Sequence, residues 1–162
     1  MNLIDEIMTD WKKERPDIEC SGKASICSIL RVYSQYIMLL ERALKPLNIA
    51  PNVFSVLVTV RRKGKAAEIS VKKIREEVLV TSGGMSNLLL RMVKANLITK
   101  RPDKDDARSM LIRLTPKGLK IIDKAMEIQA ACERQLTNTL TKTENKQLAN
   151  LLSKLLLEEN LS

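Results

Sequence analysis

SVKKIREEVLVTSGGMSNLLLRMVKANLITKRPDKDDARSMLIRLTPKG, residues 70–118, changes its apolar period twice, and those changes decide the fold. Ser70 is an N-cap for a short helix whose Val71, Ile74 and Val78 share one face. After a break at Val80–Thr81 a second helix begins, capped by Thr81 or Ser82. Its core face is Met85, Leu88, Leu89, Met92 and Val93. Asn96 stops it, because asparagine tolerates the left-handed conformation that ends many helices. The period then drops to two. ITKRP and RSMLIRLT are extended, and Met110, Ile112 and Leu114 alternate with Ser109, Leu111 and Arg113. The polar run DKDDA between them predicts a hairpin turn. Thr115-Pro116 supplies an N-cap and a first-turn proline for a long helix through Ile121, Ile122, Ala125 and Ile128.

Working outward, residues 3–13 predict a short amphipathic helix with Ile4, Ile7, Met8 and Trp11 on one side. A longer helix is predicted from about Ser25 to Lys45, closed by Pro46. Pro51 opens another, through Val53, Phe54, Val56, Leu57 and Val60 to near Gly64. Thr141–Glu144 (TKTE) is a capping-box pattern opening a helix with Leu148, Leu151, Leu152, Leu155 and Leu156. The expected class is mainly α with a small two-stranded wing, in one unit spanning 1–162.

Charge singles out the same region. Residues 61–120 hold 16 Lys+Arg against 6 Asp+Glu, whereas residues 1–60 balance at 7 and 7 and residues 121–162 carry 5 against 6. The whole excess of +9 therefore lies in that window, which implies a docking surface for a polyanion, with DNA first among the candidates. None of Trp11, Tyr33, Tyr36 and Phe54 lies inside it, which argues against a base-stacking platform for single strands.

The chain has no histidine, and Cys20, Cys27 and Cys132 have no CxxC spacing. A zinc site, a disulfide framework and the commonest general base are thereby disfavoured, and Gly83-Gly84 lacks the Gly-Lys-Ser/Thr context of a phosphate loop. No enzyme, metal or cofactor is expected. No apolar run approaches the ~18–20 residues of a membrane span, and MNLIDEIM lacks the basic start of a secretory signal. A cytoplasmic protein without a membrane partner is the expectation.

Two short helices followed by a charged hairpin make a winged helix-turn-helix. An α-helix fits the major groove of B-DNA, where each base pair shows a distinct donor and acceptor pattern. Thr81, Ser82, Ser86 and Asn87 are small polar residues able to reach base edges and phosphates, and Gly83 permits close backbone approach. Arg91 lies one turn beyond Asn87, within reach of phosphate. Arg101 and Arg108 in the hairpin can lie along the adjacent minor groove. Each has a structural alternative: simple solvation for Ser86, Asn87 and Arg91, and for Arg108 an ion pair with Asp103 or Asp106.

The run VLVTSGGMSNLLLRMVKANLITKRPDKDDARSMLIRLTPKG, residues 78–118, resembles the core of the MarR (multiple antibiotic resistance regulator) family. Ser82 to Leu88 match its recognition-helix pattern, Asp103, Asp106 and Arg108 its wing motif, and Leu114 to Gly118 its LTPxG step. The resemblance implies a homodimeric regulator of transcription, more often a repressor, that binds a pseudo-palindrome in double-stranded DNA and answers to a small effector. Residues 1–50 would then be N-terminal dimerisation helices and a pocket wall. Residues 51–118 would be the winged helix-turn-helix, with the helix-turn-helix at about 70–95 and the wing at 98–114, and residues 115–162 would complete the dimerisation region.

WKKERPDIE resembles the urate-responsive branch of that family, which carries a tryptophan in its first helix, here Trp11. Where that branch has an aspartate, this chain has Ser55; where it has arginines, this chain has Leu88 and Lys100. The implied ligand is an anionic aromatic or phenol, with Trp11, Ser55 and Lys100 as its candidate contacts. Trp11 otherwise reads as the anchor of the first helix on the core. Family members that sense peroxide through a cysteine near the long helix make Cys20 and Cys27 the basis of an alternative, redox-sensing regulator. A sequence-tolerant architectural DNA-binding protein is the other alternative.

Overall fold

Helix ends fall where prolines and small polar caps stand in the sequence. In the computed structural model, residues 3–78, 82–104 and 109–157 are described. Helix α1 (Leu3–Glu14) leads into α2 (Lys23–Leu44). A 3-10 turn, Lys45–Leu47, follows around Pro46 and is closed by Asn48 at φ 52°. Helix α3 (Pro51–Arg61) begins on its proline. Strand β1 (Glu68–Ser70) runs directly into α4 (Val71–Glu77), where the Ser70 hydroxyl caps the helix by accepting the Lys73 N–H at 3.2 Å. Helix α5 (Ser82–Lys94) precedes β2 (Ile98–Pro102) and β3 (Met110–Leu114). Helix α6 (Pro116–Thr137) and α7 (Lys142–Leu157) complete the chain as described.

The hairpin expected from residues 98–114 is present, but the sheet has a third strand. Its order is β1-β3-β2, all antiparallel, with Ile69 and Lys100 flanking Ile112 in register. Strand β1 escapes the sequence reading because it is three residues with a single apolar side chain, and its last residue is already the cap of α4.

The core gathers Leu40 and Leu44 of α2, Phe54, Val56, Leu57 and Val60 of α3, Ile74 and Val78 around α4, and Met85, Leu88, Leu89 and Met92 of α5. The sheet adds Ile98, Ile112 and Leu114, and α6 adds Ile122 and Ala125. Val93, assigned above to the core face of α5, is 37% exposed. It lies on the edge of the stripe that Met85, Leu88, Leu89 and Met92 fill at i, i+3, i+4 and i+7.

One joint links α5 to α6. Asn96 takes the left-handed conformation at φ 57°. Its carbonyl accepts the Thr115 hydroxyl at 2.7 Å, and the next carbonyl, of Leu97, accepts the Thr115 N–H at 3.1 Å. Thr115 in turn caps α6 by accepting the Gly118 N–H at 3.0 Å. The ammonium of Lys117 closes the joint by donating to the Ala95 carbonyl at 2.8 Å.

The outer helices leave apolar surface uncovered. On α2, Ile26, Leu30, Val32, Tyr33 and Met38 are exposed, as are Leu148, Leu151, Leu155 and Leu156 on α7. No residue of α1 is buried, and none of α7 among its described residues. Helix α6 differs: Ile122, Ala125 and Cys132 are buried within the chain, and Gln129 donates to the Tyr36 hydroxyl of α2 at 3.0 Å. Among the described residues no single helix is long and apolar enough to cross a membrane.

Candidate nucleic-acid interface

The core stripe of α5 fixes what its other sides present. With Met85, Leu88, Leu89 and Met92 turned inward, the line farthest from the core runs through Asn87, Leu90 and Lys94, at i, i+3 and i+7. Asn87 and Lys94 are exposed, and no acidic residue occurs on the helix. Ser86 and Arg91 lie to either side and face different clefts.

The Ser86 side opens on a groove of about 630 Å³ between α4, α5 and the wing. Lys72 and Arg75 of α4 and Lys100 and Ser109 of the wing line it over a floor of Val71, Leu89 and Met110, with Glu76 at its edge. The Arg91 side opens on a cleft of about 840 Å³ beneath the end of α2. Arg42, Lys45 and Arg91 supply its positive charge, Glu41 its negative charge, and Met38, Ile49, Val53 and Met92 its apolar surface.

Ion pairing sorts the cations of the basic window. Arg61 meets Asp123 at 2.6 Å and ties α3 to α6. Arg62 and Lys63 both pair with Glu77, the latter at 3.3 Å, and Lys73 reaches Glu76 at 3.2 Å. The Arg62 guanidinium, with Lys63 beside it, holds the Glu77 carboxyl below the usual range for glutamate. Arg101 grips Glu68 with two N–H groups, one donating to Oε1 at 2.9 Å, and so crosses the sheet from β2 to β1. That contact holds the Glu68 carboxyl low and raises the Arg101 guanidinium further. Among the described residues, Lys72, Arg75, Arg91, Lys94 and Lys100 make no ion pair, and these five surround α5.

The residues singled out from the sequence fall into three groups. Asn87, Ser86 and Arg91 are exposed on α5, and Arg101 is half-exposed and engaged by Glu68. Ser82 and Gly83 begin α5, whereas Thr81, Asp106 and Arg108 lie outside the described residues. The proposed ligand contacts do not share a cavity among the described residues. Trp11 is 40% exposed on α1, with the Lys23 ammonium 4.3 Å from its ring centre. Its ring lies against the start of α2, and it is not among the buried residues of the core. Ser55 turns its hydroxyl back to the Pro51 carbonyl at 2.9 Å, and Lys100 lines the wing groove.

Leu88, matched above to an arginine of the urate-responsive branch, is 1% exposed and belongs to the core, out of reach of base edges. Cys132 is buried, and Cys20 and Cys27 are half-buried. Lys72 and Arg75, with Lys73, read from the sequence as a solvated helix face able to add phosphate affinity, whereas Glu68 was not separated from the general charge of the window. The structure places Lys72 and Arg75 along the groove and Glu68 against Arg101 across the sheet.

A helix presented between two cationic clefts and beside a small antiparallel wing defines a winged helix-turn-helix protein. A family model described as the MarR family matches residues 47–109. The multiple antibiotic resistance protein MarR of Salmonella typhimurium is 31% identical over 119 residues, 73% of this chain and 81% of that one. The HTH-type transcriptional regulator PecS of Dickeya dadantii is 25% identical over 93% of this chain and 91% of its own. A mutant MarR from E. coli, solved in complex with operator DNA, superimposes with a TM-score of 0.74 at 26% identity, covering 90% of this chain and 97% of that one. The chain belongs to the MarR family and is a DNA-binding regulator of transcription.

Proposed function

We propose that the chain is a homodimeric repressor that reads a pseudo-palindromic operator through α5 and releases it when a small anionic aromatic ligand binds. The observation that carries the DNA reading is the acid-free outer line of α5, framed by Lys72, Arg75, Arg91, Lys94 and Lys100. Asn87 is assigned to a base edge, and Ser86, Arg91, Thr81, Ser82 and Gly83 are assigned to the backbone of the duplex. The wing, with Arg101 held by Glu68 and with Arg108, follows the neighbouring groove.

Dimerisation is assigned to the N-terminal helices of 1–50 and the C-terminal helices of 115–162, flanking the winged unit of 51–118. The exposed apolar stripes of α2 and α7 support it, because leucines at 43–81% exposure along one helix are costly facing water. A twofold dimer sets two recognition helices ~34–36 Å apart, one turn of DNA. The cleft beneath α2 suits the effector. Its cations oppose an anion, its apolar side suits a ring, and it contacts both α2 and α5, so a ligand there shifts the population able to bind DNA. Trp11, Ser55 and Lys100, dispersed as they are, remain secondary candidates for that contact.

Selection of bound duplexes from a random pool, followed by footprinting, tests the reading. A preferred palindrome protected by the native chain, and weakened by Asn87→Ala and Arg108→Ala, is expected. Undiminished protection by both variants refutes the assigned readout. Sedimentation showing a monomer at micromolar concentration refutes the dimer. For the cleft, benzoate should loosen the operator complex and lose its effect in Arg42→Ala.

A further inference from the structure

Three consecutive leucines on α5 have unequal fates. Leu88 and Leu89 are 1% and 2% exposed, whereas Leu90 is 54% exposed and does not pack against the core. It sits on the outermost line of the helix, three residues after Asn87 and four before Lys94. A large apolar side chain therefore stands in the middle of the face proposed above to enter DNA. Unpaired Arg75, Arg91, Lys94 and Lys100 surround that face, which favours a polyanion over an apolar protein partner there.

We propose that Leu90 selects thymine by contacting its 5-methyl group in the major groove. The inference rests on the assignment of α5 to that groove. Leucine offers neither donor nor acceptor, so placing it against the polar edge of guanine, cytosine or adenine strips water from those groups and returns no hydrogen bond. The thymine methyl is the apolar feature of the groove and complements it. Three residues along a helix advance the contact by ~4.5 Å, against ~3.4 Å per base pair. The thymine thus lies one or two steps from the base read by Asn87, for which adenine is the geometric match.

The test begins from the duplex selected by the native chain. Each thymine is replaced in turn by deoxyuridine, which keeps Watson–Crick pairing and removes only the methyl. The native chain should bind about fourfold more weakly at one or two such positions per half-site, the effect of losing one buried methyl group. Leu90→Ala and Leu90→Gln should bind thymine and uracil duplexes equally at those positions, while Asn87→Ala keeps the uracil penalty. Thermal melting of the Leu90 variants should match the native chain, because the side chain is exposed. A flat uracil series for the native chain, or the same penalty in the Leu90 variants, overturns the proposal. Failure of the underlying reading shows itself earlier, as the absence of any preferred duplex.

Discussion

Replacing Gly118 with alanine would drive a methyl group into the backbone that ends α5. A Cβ built there lies 2.0 Å from the Leu97 carbonyl oxygen and 3.0 Å from its carbon. Close carbon–oxygen contacts sit at ~3.3 Å, so the two segments must part by about 1.3 Å. The same oxygen accepts the Thr115 N–H at 3.1 Å, and such a separation carries that pair beyond hydrogen-bonding range. Overpacking costs about 1–3 kcal/mol and a broken buried hydrogen bond about 1–3 kcal/mol, so a loss of about 3 kcal/mol is expected. For a chain of this size that lowers Tm by about 6–12 °C. Calorimetry at one fixed protein concentration measures it, since assembly would otherwise shift the midpoint. Operator affinity should fall as well, because the displaced joint sets α5 against α6. Thr115→Ser keeps both the cap and the hydroxyl proton and should stay close to the native value. A Gly118→Ala midpoint within about 2 °C of the native chain would refute the argument.

Acid should weaken the sheet through Glu68. Its folded-state carboxyl is held below the usual range by Arg101, so the stabilisation is complete above the unfolded glutamate range and is lost as pH falls through the lower folded value. Melting temperature between pH 7 and pH 3 should fall less steeply in Glu68→Gln, and superimposable slopes would contradict the assigned pairing. At the start of α7, Thr141 accepts the Glu144 N–H at 3.2 Å while the Glu144 carboxylate accepts the Thr141 N–H at 2.8 Å. Thr141→Ala should cost about 1 kcal/mol, visible as faster amide exchange in the first turn of that helix, and unchanged exchange would remove the cap from the account. On the selected operator, Lys72→Gln and Arg75→Gln should each flatten the salt dependence of log K by ~0.9, if each meets one phosphate; an unchanged slope removes that residue from the contact.

Most helix boundaries were legible because their causes are local. Ser70, Thr115 and the Thr141–Glu144 box act within three residues, and Asn96 carries its own left-handed preference. The hairpin was legible because period two persists through Met110–Leu114. Strand β1 was not, since three residues cannot display a period. The contact that holds Arg101 was hidden for a different reason: its partner Glu68 is distant in sequence and becomes a neighbour only when β3 is laid between β1 and β2. The unequal leucines of α5 were within reach, because Met85, Leu88, Leu89 and Met92 already define a stripe that excludes Leu90.

The basic window shows most sharply where composition stops and geometry begins. A count of charges treats every Lys and Arg as available to a polyanion. Among the described residues, five of them, Arg61, Arg62, Lys63, Lys73 and Arg101, are instead engaged by carboxylates within the chain. They brace α3 against α6, the loop after α3 against α4, and β2 against β1. Their charge is largely neutralised at short range and decays quickly beyond it. Among the described cations without such partners, Lys72, Arg75, Arg91, Lys94 and Lys100 come from three separate elements and lie on or around one helix, whereas Lys65, Lys104, Arg113, Lys117 and Lys120 lie elsewhere in the window. Net charge therefore located the substructure, ion pairing removed five cations from it, and position on α4, α5 and β2 marks the face. On that face the chain sets Leu90 where charge alone would have asked for another cation, and under the proposed reading selectivity for a base and attraction to the backbone fall to different side chains.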